Sequence, residues 1–413
     1  MNFPPRTIVE YNGDIFNMPY GGKLNEYSKT ITLGKILAAA SLPWATQISP
    51  SDLPKLKVIE PGSKRYLSLL PQILYKCDYA SNGGSTGADP EIFAFDAQGE
   101  VIPAWKFLPA PAKGLETYWD GVQAEFTPAP SGCHEGLTDR VRQKLMSVQQ
   151  QLTTVDKKAV LKPQDVVELP EKLLLEESEE HLQLGCGRSW NAYGIAPIEV
   201  PNYRELKLRF AGSHFHHSLA VAQNQIEVPW FPEGTVVMMD KIAGLVLTAL
   251  GRDLEDPKRR QFYGRPGEFR VPNQSIFHLE YRTPSNFVLW APGIYNIAAD
   301  ICRFGYRMGL YADGRSYDLP DAKDIILACD ADAAVKQIAT HKAFFTKVFE
   351  TIYPEDSRNY VKPTFAAIKQ GLKAFAGTSS ESLANAWRFG AGAYGSWNND
   401  HQLGWRNFCH GLR

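Results

Sequence analysis

The chain has 413 residues, of which 44% are hydrophobic and 22% charged, with a formal net charge of −1. This length and apolar content fit a globular chain with an ample core, organised as two domains or one large elaborated domain. The near-neutral balance excludes a nucleic-acid binder or membrane-surface protein acting through bulk electrostatics, and six scattered cysteines without a CxxC pair exclude a disulfide framework or zinc ribbon.

Residues 1–80 carry no chemical motif and are expected to form an irregular lead-in, with a short helix over Thr30–Ala40 and then a stretch punctuated by Pro43, Pro50, Pro54 and Pro61. No basic region followed by an apolar stretch opens the chain. The longest apolar run, near Ile242–Leu250, is well short of the ~20 residues that span a bilayer. The expectation is a soluble cytoplasmic protein. Ser81–Gly87 reads as a flexible joint. Beyond it, Glu91–Asp96 and Glu100–Ala104 read as a hairpin turning at Ala97–Gly99, and Trp119–Pro128 as a further strand. Leu137, Val141, Leu145, Val148 and Leu152 recur at helical spacing and predict an amphipathic helix over 137–153.

Residues 155–182 are highly charged, and Glu171–Glu180 reads as a solvated helix or exposed loop. Strand character returns at Glu205–Phe210, His214–His217 and Ser275–Thr283. A buried helix over Met238–Leu250 and a basic loop over Arg252–Arg270 lie between the last two strands. From Pro292 the pattern is helical: Ile294–Leu310, Ala322–Ile352, Thr364–Phe375 and Glu381–Phe389. The order predicts an α+β protein with a largely antiparallel sheet and a helical C-terminal region, divided as 1–80, 81–300 and 301–413.

Four segments place polar groups two residues apart: Asp89-Pro-Glu91, Gln123-Ala-Glu125, His214-Phe-His216 and Glu280-Tyr-Arg282. On a strand such pairs share a face, roughly 6.5–7 Å apart. In one sheet they would assemble carboxylates, imidazoles and an arginine, the donors of a divalent-cation and phosphate site. The same pairs also fit the solvated face of an antiparallel sheet, where charges are ordinary. Pro90 belongs on an edge strand or at a bulge and leaves Asp89 the less secure of its pair. His214 and His216 read as metal ligands or as hydrogen-bonded sheet histidines, and His217 points the other way. The basic loop offers Arg259, Arg260 and Arg270 as phosphate forks or as solvated surface. Leu184–Tyr193 reads as a glycine-punctuated pocket wall, with Cys186 structural. Cys133 and His134 point apart and make no dyad.

Taken together and in order, GADPEIF, DGVQAEF, GCGRSWNAY, GSHFHH, RRQFYGRPGEFR and LEYRTPSN resemble the carboxylate–amine ligases of the glutamine synthetase and glutamate–cysteine ligase superfamily. The resemblance is to the phage-encoded amidoligases of the COOH–NH2 ligase type 2 group and covers roughly residues 85–290. It implies a glutamine synthetase-like catalytic domain with a curved, largely antiparallel sheet flanked by helices. It also implies Mg²⁺ or Mn²⁺ held by Asp89, Glu91, Glu125, His214 and Glu280. Arg282 and Arg270, with Arg259 or Arg260, would contact the phosphates of ATP. Asp-Pro-Glu departs from the Glu-x-Glu of the named branches.

The implied reaction is ATP-dependent amide formation between a carboxylate and an amine through an acyl phosphate, in the host cytoplasm if the chain is phage-encoded. No side chain stands out as the base, and neither nucleic acid nor membrane is an expected partner. Two other readings stay open: a zinc-dependent hydrolase using His214 and His216, with none of the other histidines in a matching pattern, and an inactive ligase fold retained for binding.

Overall fold

The computed structural model describes residues 7–18, 24–25, 28–35, 45–60, 63, 65, 85–131, 134–182, 189–196, 204–218, 231–252, 254–273, 277–290, 292–311, 314, 319, 321–352 and 387. Strands β1 (Thr7–Tyr11), β2 (Asp14–Met18), β3 (Ile31–Lys35), β4 (Ala45–Ile48) and β5 (Lys57–Val58) form a five-stranded sheet in the order β4-β3-β2-β1-β5. The expectation of an irregular lead-in is therefore corrected. The predicted helix over Thr30–Ala40 is corrected as well, because its described part is β3. Asn12 and Gly13 hold φ of 52° and 83°, the conformation of a two-residue hairpin connection, and join β1 to β2 in register. Val9, Phe16, Met18, Ile31, Leu33, Ile48 and Leu56 form this sheet's own apolar cluster, while Ile8, Ile15 and Ile59 belong to the main core.

The main sheet is built from β6 (Ser85–Phe95), β7 (Val101–Ile102), β8 (Thr117–Asp120), β9 (Gln123–Phe126), β10 (Val160–Lys162), β12 (Trp190–Asn191), β14 (Ser213–Ser218), β15 (Glu268–Asn273) and β16 (His278–Tyr281). Its order is β12-β15-β16-β14-β6-β9-β8, with β7 and β10 both paired to β6. A short ribbon pairs β11 (Val166–Glu168) with β13 (Leu208–Phe210). These pairings are antiparallel, and the nine-stranded sheet stays open. The fold is α+β, an antiparallel sheet flanked by helices.

One face of this sheet is apolar. Ala88, Ile92, Ala124, Phe215, Phe269, Leu279 and Tyr281 join the main core there. The helix His134–Val155 contributes Leu137, Val141, Leu145, Val148 and Leu152 to the same core, the stripe that its 3.6-residue period predicts. Two further helices are buried more completely. Pro232–Met239 runs through a π turn, Asp240–Gly244, into Leu245–Leu250, and it packs against Pro292–Tyr311. His217 points into this interior and stacks on Tyr306 with ring centroids 5.3 Å apart.

The single helix expected over Ala322–Ile352 is three: Lys323–Leu327, Ala331–Thr340 and Lys342–Ile352. Cys329, at φ 50°, breaks the first from the second, and Asp330 caps the second by accepting a hydrogen bond from the Ala333 amide. The helices expected at Thr364–Phe375 and Glu381–Phe389 lie outside the described residues, Trp387 excepted. Among the described residues no helix is long and apolar enough to cross a membrane.

The two buried helices touch through glycine. A Cβ added to Gly309 would lie 2.6 Å from Thr235 Cα and 2.9 Å from Thr235 O, so no side chain fits without moving backbone. Gly309→Ala is expected to destabilise the fold by roughly 1–3 kcal/mol through overpacking. Chemical denaturation reads this directly, and an unchanged midpoint would contradict the close approach.

Candidate metal centre

The other face of the main sheet is polar, and strand register explains how. His214 lies opposite Asp89, and Glu91 opposite Glu125. His216 lies opposite Glu280, which in turn lies opposite Arg270. Tyr118 pairs with Glu125, and Asp120 with Gln123. Since side chains alternate along each strand, all of these share one face with Glu268, His278 and Arg282. Five adjacent strands therefore bring together seven of the residues singled out from sequence: Asp89, Glu91, Glu125, His214, Arg270, Glu280 and Arg282.

The geometry divides them into two groups. In one, ligand atoms of Asp89, His216 and Glu280 all lie within 4.8 Å of one another; in the other, those of Glu91, Asp120 and Glu125 do. His216 Nε2 is 3.1 Å from Asp89 Oδ2, and its Nδ1 is 3.0 Å from His278 Nε2. Glu280 Oε1 accepts from Arg282 and lies 3.4 Å from Arg270 Nη1. In the second group Tyr118 donates to Glu125 at 2.8 Å, and Glu91 accepts from the Tyr263 hydroxyl at 2.7 Å and the Gly212 amide at 2.6 Å. Gly212 has to be small: a Cβ there would lie 2.8 Å from Arg259 Nη2 and 2.9 Å from His214 Nε2.

His214 stands between the groups. Its Nδ1 is 3.3 Å from Asp89 Oδ1 and 3.9 Å from Glu280 Oε1, while its Nε2 is 2.7 Å from the Tyr263 hydroxyl. Tyr263 thus touches Glu91 of the second group and His214 between the two, and Arg282 Nη2 approaches the same hydroxyl at 3.4 Å. The Arg259 and Arg282 guanidinium groups both lie over its ring, at 5.0 and 5.4 Å.

Charge follows this layout. Burial lowers the His214 pKa, helped by Arg282 and outweighing Asp89, so the ring is neutral. Burial also acts to lower His216, but there the Asp89 and Glu280 charges prevail and raise it. For Asp89, burial pushes up and is overcome by His216 and His214, so its carboxyl sits well below the ordinary range. The second group is the reverse. Burial and the Asp120 charge lift Glu91 to about 8, and Glu125 is pushed well up by burial and the surrounding carboxylates. Burial likewise raises Asp120. Among the described residues, no ion pair joins any of these three carboxylates to a lysine or arginine.

This donor set fits divalent cations. Three converging carboxylates offer hard oxygen, and two carboxylates with an imidazole offer mixed ligands. Asp89 Oδ1 is buried without a hydrogen-bond partner, a lone pair available to an ion.

Two phosphate candidates need correction. Arg259 is fully buried and donates to the carbonyls of Ala211, Thr283 and Pro284 at 2.8, 3.2 and 2.9 Å. Arg260, also buried, donates to the carbonyls of Gly264 and Thr283 and to Glu255. Their forks tie loops together. Both sit on a short helix, Arg259–Phe262, inside what read as a basic loop. Arg270 is the more open arginine, its side chain 30% exposed.

Sequence reasoning missed Asp120, a single carboxylate at a strand end that reaches its group only across the hairpin to β9. It also missed His278, two residues before Glu280 on the same strand, where the alternation signal did exist. Much of the glycine-punctuated wall, Cys186 included, lies outside the described residues, as do Cys133 and the His134 side chain.

No protein-family model matches the chain, and no curated protein is similar to it in sequence. Solved structures show a distant likeness. A bifunctional glutathione synthetase from Pasteurella multocida is 12% identical with a TM-score of 0.41, over 84% of this chain and 54% of that one. GmaS without ligand is 11% identical at 0.33, over 87% and 78%, and a glutamine synthase homolog is 13% identical at 0.30, over 90% and 83%. The chain thus spans about half the length of the glutathione synthetase.

The raised carboxyls set a pH dependence. Folded Glu91 keeps its proton up to about pH 8, whereas the unfolded chain releases it near 4.5. This contribution to stability is present below the unfolded value and is lost as pH rises through the folded one. Without divalent ions, the melting temperature is expected to fall between about pH 5 and about pH 9, less steeply in Glu91→Gln. Added Mg²⁺ or Mn²⁺ should recover more stability at the alkaline end, because the ion binds the deprotonated form. Identical slopes in the two proteins would contradict the assignment.

Proposed function

We propose that this chain is an ATP-dependent carboxylate–amine ligase that forms an amide through an acyl phosphate. The observation that carries the reading is the pair of ligand groups, Asp89/His216/Glu280 and Glu91/Asp120/Glu125, side by side on one sheet face with Arg270 and Arg282 next to them. The specific form of the reading is a phage-encoded amidoligase of the COOH–NH2 type 2 group acting in the cytoplasm, and it is carried by the sequence segments. Residues 81–300 would be the ligase core in that reading.

A carboxylate does not accept an amine directly, because oxide is too poor a leaving group. Its oxygen attacks the γ-phosphorus of ATP, the bond to the β-phosphate oxygen breaks, and ADP leaves. The amine nitrogen then attacks the carbonyl carbon of the acyl phosphate, the C–O bond breaks, and phosphate leaves. Phosphoryl transfer depends on positioning and on neutralising charge over the phosphate oxygens. Bound Mg²⁺ or Mn²⁺ would supply that neutralisation and orient the phosphates. Asp89, Glu91, Asp120, Glu125, His216 and Glu280 would hold the ions, with His214 beside Asp89. Arg270, at the open rim, would meet the phosphate with its planar fork, while Arg282 fixes Glu280.

The hydrolase reading has less support. Of the two imidazoles it needs, only His216 belongs to a group of converging ligand atoms among the described residues; His214 belongs to neither group.

With Mg²⁺-ATP and a panel of amino acids, amines and peptides, ADP release is expected for some carboxylate–amine pair. Glu91→Ala or Glu280→Ala is expected to abolish that turnover while circular dichroism shows a retained fold. Full turnover in either variant would overturn the metal assignment. Tightly held zinc with ATP-independent hydrolysis would favour the hydrolase, and failure to bind Mg²⁺-ATP in calorimetry would favour an inactive ligase fold.

A further inference from the structure

The two ligand groups differ in charge and in donor type. Glu91, Asp120 and Glu125 are three carboxylates, with Tyr118 and Tyr263 donating to two of them. That is an all-oxygen set, strongly negative once its protons leave, and hard oxygen is what Mg²⁺ takes. Asp89, Glu280 and His216 carry one carboxylate fewer, and Glu280 already shares an oxygen with Arg282 and lies beside Arg270. Coulombic attraction for a hard cation is therefore weaker there, and what that group adds is imidazole nitrogen.

His278 strengthens the contrast. It lies on β16 on the same face as Glu280 and is only partly buried, with its Nε2 3.0 Å from His216 Nδ1 and the ring centroids 5.2 Å apart. His216 Nε2 points the other way, toward Asp89 Oδ2 at 3.1 Å. A partner on Nδ1 fixes the ring and leaves Nε2 as the ligating nitrogen, the part that carboxylates, backbone carbonyls and waters play for metal-bound histidines. Imidazole favours borderline transition ions over Mg²⁺.

We propose that the two groups hold different ions: Mg²⁺ at Glu91/Asp120/Glu125, and a first-row transition ion, for which Mn²⁺ serves as the probe, at Asp89/His216/Glu280, with His278 as the positioning residue for His216. The inference rests on reading these groups as cation sites, and it adds which ion each prefers and the residue that sets the preference.

The test uses the full chain without nucleotide. Mn²⁺ binding is followed by electron paramagnetic resonance in the presence of excess Mg²⁺, with pulsed detection of nitrogen coupled to the bound ion. One Mn²⁺ per chain is expected to survive the Mg²⁺ competition and to carry a directly bound imidazole signal. His216→Gln should remove that signal, and Glu91→Gln should leave it. His278→Gln and His278→Ala should each weaken Mn²⁺ retention by about tenfold or more, with little change in the melting temperature of the ion-free protein. A purely structural histidine would not alter the Mn²⁺-to-Mg²⁺ preference. Excess Mg²⁺ stripping all Mn²⁺, a bound Mn²⁺ without nitrogen coupling, or unchanged selectivity in both His278 variants would each overturn the proposal. Since no ATP is present, such a result would leave ADP release with Mg²⁺ to decide the ligase reading independently.

Discussion

Glu91, Asp120 and Glu125 bring carboxylate oxygens within 4.8 Å of one another on a face where Glu91 is only 2% exposed. Ionised carboxylates buried together repel, and each costs several kcal/mol in lost hydration. Such a cluster has three ways out: protons, hydrogen-bond donors or a bound cation. The raised Glu91 and Glu125 pKa values represent the first way, and the hydroxyls of Tyr118 and Tyr263 with the Gly212 amide represent the second. The third gives the site its proposed chemistry, because an ion bound there releases the protons and keeps the same geometry.

Tyr263 connects this cluster to the rest. Its hydroxyl reaches Glu91 and His214, the Arg259 and Arg282 guanidiniums both lie over its ring, and His214 continues the contact to Asp89. Arg259, buried against three carbonyls, fixes the loop that carries Tyr263. Basic residues in this loop thus act mainly as scaffolding for the acidic face, and the open arginine is Arg270 on the neighbouring strand. The two halves of the face are balanced differently, one by arginine and imidazole, the other by neutral donors.

The legible part of the site was the part written as alternation. Asp89/Glu91, Gln123/Glu125, His214/His216 and Glu280/Arg282 each announced a shared face, because a strand has a period of two. Asp120 was hidden because its partners lie on other strands and only the hairpin at Gly121 brings them together. Arg259 and Arg260 were misread because composition identifies donors without revealing which carbonyls they meet. In the fold, the helix over 137–153 was plain from its apolar stripe. The N-terminal sheet was missed although Tyr11-Asn12-Gly13-Asp14 carries a hairpin signal, since its strands are short and the prolines beyond suggested disorder of pattern. The break at Cys329 depends on one residue at positive φ, which side-chain periodicity does not reveal.

Everything proposed for this chain requires that one sheet face hold two adjacent cation sites. Crystals of the full chain soaked in Mn²⁺ and measured at the manganese absorption edge test it most directly. Two anomalous peaks are expected, one among Asp89, His216 and Glu280 and the other among Glu91, Asp120 and Glu125. Peaks confined to other parts of the molecule, or none on this face, would contradict it.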